Sequence, residues 1–242
     1  MIIVFVSLFA KNKEDFFMLN FIVSEEGYYS LGNLGYYVLI AVLLLALILS
    51  AIVADRKQKN TRFSAKRLAF CGVCLALGFI LSYIKFDMPY GGSVTAFSMF
   101  CICIIGYFYG IKAGMLSAVA YSILQFFQSG GSYMLSPLQV CCDYFFAFAA
   151  LGITGFFYKK KDKFVWAYLL AIFVRGLFHT IGGYLYWMDY MPENFPQSIA
   201  ILYPIVYNYS YILLEGIITI VLLKIPAVSK MFKRLEGMAA EE

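Results

Sequence analysis

Long apolar stretches separated by short polar segments run through most of the chain. A helix rises about 1.5 Å per residue, so roughly 20 apolar residues cross the hydrocarbon core of a bilayer. Seven stretches approach or reach this length, at 36–54, 67–86, 93–109, 112–128, 137–158, 164–187 and 203–224. Loop-forming clusters separate most of them, and a tight turn is predicted around Gly110. The pattern therefore predicts an all-α bundle of membrane-spanning helices.

The composition agrees with this interpretation. The chain of 242 residues is 62% hydrophobic and 14% charged, whereas soluble domains are about 45–50% apolar and about 25% charged. A soluble enzyme, a disordered chain and a disulfide-rich secreted module are excluded. Basic residues follow the stretch 36–54 rather than precede it, which predicts a retained transmembrane helix and not a signal peptide.

The positions of lysine and arginine predict the orientation. Basic residues occur at 56–67, 112, 159–163 and 224–234, and seven spans place all four segments on one side, which the positive-inside rule assigns to the cytoplasm. The opposite loops, taken as 86–92, 129–136 and 188–202, contain no Lys or Arg. We therefore expect the N-terminus outside, the C-terminus in the cytoplasm, and a mildly acidic outer face that weakly favours cations.

Few features of the sequence indicate metal, redox or nucleotide chemistry. Cys71 and Cys74 form a C-x-x-C motif that is compatible with a redox or metal pair. A zinc site needs about four ligands, however, and the single histidine, His179, is distant in sequence. Packing is therefore the favoured role for the cysteines, and no metal or cofactor is expected. No P-loop motif occurs, so ATP hydrolysis by that route is excluded.

Four ionisable residues lie inside predicted spans: Asp143, Arg175, His179 and Glu215. Such groups cost several kcal/mol in a membrane and usually mark a site or a pathway. Arg175 and Glu215, both near mid-membrane, are predicted to form a structural ion pair. Two alternatives remain, a contact between Arg175 and a substrate anion and a pair between Arg175 and Asp143.

Aromatic and amide side chains concentrate at the predicted outer helix ends. An interfacial aromatic belt explains scattered tyrosines. Trp187, Tyr203 and Asn208, however, converge with His179 and Asp143 in the predicted topology. Aromatic walls beside one carboxylate bind an organic cation or a planar heterocycle, because ring faces attract cations and the carboxylate neutralises the charge.

Four blocks of sequence between about Arg67 and Lys224 resemble the thiamin-specific S component, the substrate-binding subunit, of energy-coupling factor (ECF) vitamin transporters. The blocks are Met88–Thr95; Pro137–Gln139 with Asp143, Tyr144 and Ala147–Gly152; Arg175 with His179 and Trp187; and Tyr203 with Asn208 and Glu215. The resemblance implies a six-helix S-component core at 66–225. An N-terminal extracellular or interfacial segment (1–35), an extra transmembrane helix with a basic linker (36–65) and a cytoplasmic tail (226–242) would flank it.

The same resemblance implies a thiamin pocket near the outer surface. His179 and Trp187 would stack on the ring system, and Asp143 would bind its cationic or amino-bearing part. Hydrogen bonds would come from Tyr144, Tyr203 and Asn208, and the aromatic of the first outer loop would be Tyr90. The family often has Glu where this chain has Asp143, and the shorter side chain puts direct contact with the ligand in doubt.

By the same resemblance the chain is a carrier without catalytic chemistry. It would capture the vitamin with high affinity outside the cell and then associate with a membrane coupling subunit and two ATPases. Ala69, Gly72 and Ala76 form part of a strip of small residues that would dock the coupling subunit; internal helix packing is the alternative role.

Three other functions remain open from the sequence. In the first, the ligand is another planar vitamin or precursor, such as riboflavin or hydroxymethylpyrimidine. Alternatively, the chain is a membrane enzyme that uses Asp143 and His179 as acid and base, although no second catalytic group is evident. The last is a self-sufficient carrier driven by an ion through Asp143, Arg175 and Glu215.

Overall fold

The computed structural model describes residues 64–129 and 134–240, together with a short N-terminal hairpin and the isolated positions Val38 and Leu45. The hairpin consists of the antiparallel strands β1 (Ile22–Glu25) and β2 (Tyr28–Leu31). The predicted extra helix at 36–54 therefore lies almost entirely outside the described residues, as does most of the segment 1–35.

Helices make up most of the rest of the described chain. They are α1 (Ala65–Leu81), α2 (Ser98–Gln128), α3 (Pro137–Phe157), α4 (Phe164–Tyr190), α5 (Gln197–Lys224) and α6 (Pro226–Ala240). A second antiparallel hairpin, β3 (Lys85–Asp87) and β4 (Ser93–Thr95), connects α1 to α2. Within this described part, the four helices α2 to α5 are long and apolar enough to cross a membrane. A helical multi-pass membrane protein is thus confirmed, and the count of six spans plus one stays a prediction.

The two predicted spans at 93–109 and 112–128 belong to one segment, α2, that doubles back on itself. Gly110 breaks the helix with φ 89° and ψ 179°, a backbone conformation that favours glycine. A Cβ atom placed on Gly114 would lie 2.7 Å from the Cα atom of Gly106, whereas eight residues of straight helix span about 12 Å. The tight turn predicted around Gly110 is therefore present.

Glycines also bring α2 and α3 into backbone contact. A Cβ atom on Gly114 would lie 2.6 Å from the carbonyl oxygen of Gly152, and one on Gly155 would lie 2.6 Å from the carbonyl carbon of Gly110. Small residues allow such close approach between helices in a membrane. We call the contact of Gly106, Gly110, Gly114, Gly152 and Gly155 the glycine seam.

Helix α4 shows why these sequences form a bundle in lipid. One face carries exposed apolar side chains: Trp166, Leu170, Phe173, Leu177 and Ile181. Its opposite face is buried and includes Ala167, Tyr168, Ala171, Arg175 and His179. Polar residues thus point into the protein and apolar residues outward, as expected of a helix surrounded by hydrocarbon.

Basic segments meet at one end of the bundle, which we call the lysine end. The Tyr107 hydroxyl there donates to the carbonyl of Lys160 (2.7 Å) and lies 3.0 Å from Oε1 of Glu236. The segment 226–242, predicted to be a tail, contains helix α6, whose Phe232 ring packs 4.8 Å from that of Phe164. The segment packs on the bundle because its apolar residues Phe232 and Leu235 lie on one face of α6 and contact the core.

The opposite end carries the β3–β4 hairpin, and we call it the hairpin end. The predicted span 67–86 is too long, because α1 ends at Leu81. Lys85 therefore lies in the hairpin and not inside a helix. The prediction that the loops of this end lack lysine and arginine is wrong for this reason.

Candidate functional site

A cavity of about 580 Å³ opens between the β3–β4 hairpin and helices α2 to α5. Aromatic side chains from the hairpin, α3, α4 and α5 form much of its lining: Tyr90, Tyr144, Phe148, Trp187, Tyr203, Tyr207 and Tyr211. Polar side chains, among them Gln125, Gln139, Asp143, Arg175 and His179, complete it. Small-molecule sites have this character, with volumes of about 300–1,000 Å³ and few polar groups on apolar walls.

The hairpin forms one wall because two glycines let it lie against α5. Gly91 and Gly92 have φ of 106° and 70°, in the left-handed region. A Cβ atom on Gly92 would collide with the ring of Tyr211, and one on Gly91 would lie 3.6 Å from the ring of Tyr207. The Tyr203 hydroxyl donates to the Tyr90 carbonyl at 3.2 Å. One face of α5 therefore fixes this wall.

Asp143 is the centre of a hydrogen-bond cluster between α3 and α4. Its Oδ2 accepts from the side-chain amide of Gln139 at 2.7 Å and from the indole Nε1 of Trp187 at 2.9 Å. Its Oδ1 lies 3.4 Å from Nδ1 of His179. A carboxylate in a protein interior needs such partners, and two of the three here, His179 and Trp187, are the residues predicted to stack on a ligand.

Local helix geometry brings His179 and Trp187 onto one face. Asp143 lies in a π-helical turn at Cys141–Phe146, and Trp187 ends another at Gly183–Trp187. An α turn of about 3.6 residues followed by a π turn of roughly 4.4 makes about eight residues. Two residues eight apart therefore point the same way. Turns of this kind occur often at functional sites.

Gly182 makes room for the carboxylate of Asp143. A Cβ atom at position 182 would lie 2.6 Å from Oδ1 of Asp143. Any larger residue would push that oxygen away from α4, and the bond to Trp187 would be strained with it.

Asn208, predicted to bind the ligand, is fully buried and is not part of the cavity lining. Its amide nitrogen donates to the carbonyls of His179 (3.1 Å) and Pro204 (2.8 Å), and its oxygen accepts from the Tyr211 hydroxyl at 2.9 Å. The side chain therefore holds α5 against α4 at the level of His179.

Arg175 and Glu215 do not form the predicted ion pair in the described chain. Glu215 accepts instead from the Thr95 hydroxyl (2.7 Å), the Thr95 amide (3.3 Å) and the Met99 amide (3.1 Å). The start of α2 takes the carboxylate because its first N–H groups have no partners within the helix. The guanidinium of Arg175 lies 4.3 Å over the Phe148 ring, and its Nε and Nη1 have no hydrogen-bond partner among the described residues.

Six of the seven residues predicted to bind the ligand line the same cavity: Tyr90, Asp143, Tyr144, His179, Trp187 and Tyr203. Phe148 and Tyr211 line the cavity but were not among the residues predicted to bind the ligand, and Gln139 was not predicted as a partner of Asp143. Gln139 had a detectable signal, because an amide four residues before a carboxylate lies on the same helix face. Ala69, Gly72 and Ala76, predicted to dock a partner, are exposed on α1.

The described residues contain no group of three or more His, Cys, Asp or Glu side chains placed to hold a metal ion. Cys71 and Cys74 are buried and free, in agreement with a packing role.

Comparisons with known proteins show that the chain is similar to thiamine transporters. A curated relative, the thiamine transporter ThiT of Bacillus subtilis (strain 168), is 31% identical over 157 residues, covering 60% of this chain and 79% of that protein. A solved structure of ThiT from Listeria monocytogenes matches with a TM-score of 0.53 at 24% identity, over 69% of this chain and 96% of that one. The model of the family described as thiamine transporter protein (Thia_YuaJ) matches residues 68–234. The chain therefore belongs to the thiamine transporter protein family.

Proposed function

We propose that this chain is the thiamin-binding S component of an ECF-type importer and that the cavity at the hairpin end is its thiamin site. The observation that carries the proposal is the convergence of three unpartnered polar groups on an aromatic cavity. Asp143 Oδ1, His179 Nε2 and the Arg175 nitrogens Nε and Nη1 are buried and lack hydrogen-bond partners among the described residues. Each such group costs about 1–3 kcal/mol until something binds it.

The charges suggest how thiamin lies in the cavity. Its thiazolium cation belongs between Trp187 and His179, where ring faces and the nearby Asp143 carboxylate attract positive charge. Its neutral pyrimidine, which carries acceptor nitrogens, belongs beside the donors of Arg175. Tyr144, Tyr203 and Tyr90 close the remaining sides, and Asn208 acts through His179 and Tyr211.

The partners come from the resemblance to ECF S components. We propose that a membrane coupling subunit and two ATPases supply the energy for uptake, in agreement with a sequence that contains no P-loop motif. The exposed strip of Ala69, Gly72 and Ala76 on α1 is the proposed docking surface. The lysine end would face the cytoplasm with the C-terminus, and the hairpin end and the N-terminus would lie outside.

Calorimetry on the purified full chain in lipid nanodiscs tests the thiamin assignment. Thiamin should bind tightly with a 1:1 stoichiometry, whereas hydroxymethylpyrimidine, which lacks the thiazolium, should bind much more weakly. Stronger binding of hydroxymethylpyrimidine or riboflavin would replace thiamin as the ligand. Uptake of thiamin by vesicles that contain this chain alone would contradict the need for ATPase partners.

A further inference from the structure

The hydrogen bonds of Asp143 indicate how the ring of Trp187 is held in the wall of the cavity. Its Oδ2 is shared by Gln139 at 2.7 Å and Trp187 at 2.9 Å. Gln139 is 1% exposed, and its own oxygen accepts from the Leu135 amide at 3.2 Å. The side chain is therefore held at both ends and has one available orientation.

The helix start before Gln139 holds its backbone as well. Ser136 caps α3 by accepting from the Gln139 amide at 3.1 Å. A chain of hydrogen bonds thus runs from the loop before α3, through Gln139 and Asp143, to the indole on α4. Each bond restricts the next, because Asp143 with one oxygen fixed by Gln139 can accept from the indole in only one direction.

We propose that Gln139 and Asp143 are a positioning pair that fixes the plane of the Trp187 ring before any ligand arrives. The proposal rests on the proposed function only for its effect on thiamin affinity; the orientation of the ring is a property of the protein alone. It adds a second role to the one that the family resemblance implies for Asp143, since Oδ2 accepts from Gln139 and Trp187 while Oδ1 has no hydrogen-bond partner among the described residues. Pre-organised walls raise affinity because the ligand need not order them.

The chain offers a direct reporter of the ring. It has two tryptophans, and Trp166 lies at the start of α4 with 64% of its surface exposed. Trp166→Phe in the full chain, in nanodiscs, leaves Trp187 as the single indole. Time-resolved fluorescence anisotropy then measures its mobility without ligand.

Three variants in this background separate the roles. Gln139→Leu and Asp143→Ala should each increase the fast depolarisation of Trp187 and weaken thiamin binding about tenfold. Asp143→Asn should keep the indole ordered, because its amide oxygen still accepts the indole N–H. Gln128→Leu is the matched control, since this glutamine bonds to Ser82 away from Asp143, and it should change neither reading.

Unchanged anisotropy in both Gln139→Leu and Asp143→Ala overturns the positioning pair. Asp143→Ala that loses affinity while the indole stays rigid also overturns it, because the orientation of the ring then does not depend on Asp143. If Asp143→Ala fails to fold, Gln139→Leu and Asp143→Asn give the same decision. If the indole loosens as expected but the parent protein binds no thiamin, the pair stands and the proposed thiamin function fails.

Discussion

The two ends of the bundle use the same helices for opposite purposes. At the lysine end, the glycine seam brings backbones into contact and aromatic rings such as Phe164 and Phe232 fill the remaining space. At the hairpin end, the same helices separate around a cavity of about 580 Å³ with polar groups in its walls. Glycines allow the backbones to meet at one end, whereas at the other end the helices diverge around a cavity, so side-chain size along a helix helps to determine where a site can form.

The glycine seam should be the least tolerant part of the molecule. Gly114→Val places atoms on the carbonyl of Gly152, and backbone cannot move aside as a side chain can. We expect a loss of about 4 kcal/mol or more, measured as failure to recover monodisperse protein or as a large drop in Tm. Gly72→Val, where nothing lies within 4 Å, is the control. Equal Tm values for the two variants would show that the seam is loosely packed.

Glu215 joins α5 to the hairpin end of α2, because its carboxylate accepts from Thr95 and Met99 at the start of that helix. Glu215→Ala should lower the stability by about 3 kcal/mol and weaken thiamin binding, since buried donors lose their acceptor. Glu215→Gln keeps one acceptor and should have about half the effect. Both are read from thermal unfolding with and without thiamin. A stable Glu215→Ala protein with full affinity would remove the residue from this role.

Trp187 lies at the hairpin end, so its replacement should lower the affinity for thiamin without lowering the stability of the fold. Trp187→Ala should weaken thiamin affinity about a hundredfold in calorimetry and leave Tm within a few degrees. Trp166→Ala, which removes an exposed indole from the same helix, should leave the affinity unchanged. Equal effects of the two substitutions on affinity would place thiamin elsewhere.

Gly92 tests the fit of the hairpin on α5. Gly92→Ala adds a Cβ atom that collides with the Tyr211 ring and requires a positive φ of 70° from alanine. We expect a cost of about 1 kcal/mol and a severalfold loss of affinity. Gly237→Ala in α6, which meets no atom within 4 Å, is the control. A tighter-binding Gly92→Ala protein would show that the wall prefers a displaced position.

Lys85 should give the smallest effect, because it is exposed and its field is screened. It lines the cavity and repels a cationic ligand. Lys85→Gln should strengthen thiamin binding about twofold at low salt and hardly at all at high salt. The same change at Lys161, exposed at the lysine end, should do nothing. Weaker binding by Lys85→Gln would mean that the lysine contacts the ligand favourably.

The helices α2 to α5 and most side chains of the cavity were predictable from the sequence, because both follow from composition along single helices; the number of membrane spans stays a prediction. Apolar length located α2 to α5, and the ionisable residues Asp143, Arg175 and His179 all line the cavity. The π turns were not predictable, since one extra residue in a turn leaves no periodic signal. The predicted pair of Glu215 with Arg175 was wrong. The N–H groups at the start of α2 compete with the guanidinium for the carboxylate, and the sequence alone does not show which of the two is nearer.

The glycine seam has a consequence for the cell as well as for the fold. A membrane voltage moves any charge that finds a wet path, with about 2.3 kcal/mol per elementary charge for each 100 mV. Where the backbones of Gly114 and Gly152 touch, no space remains between them for water. A charge therefore finds no wet path along this contact between α2 and α3.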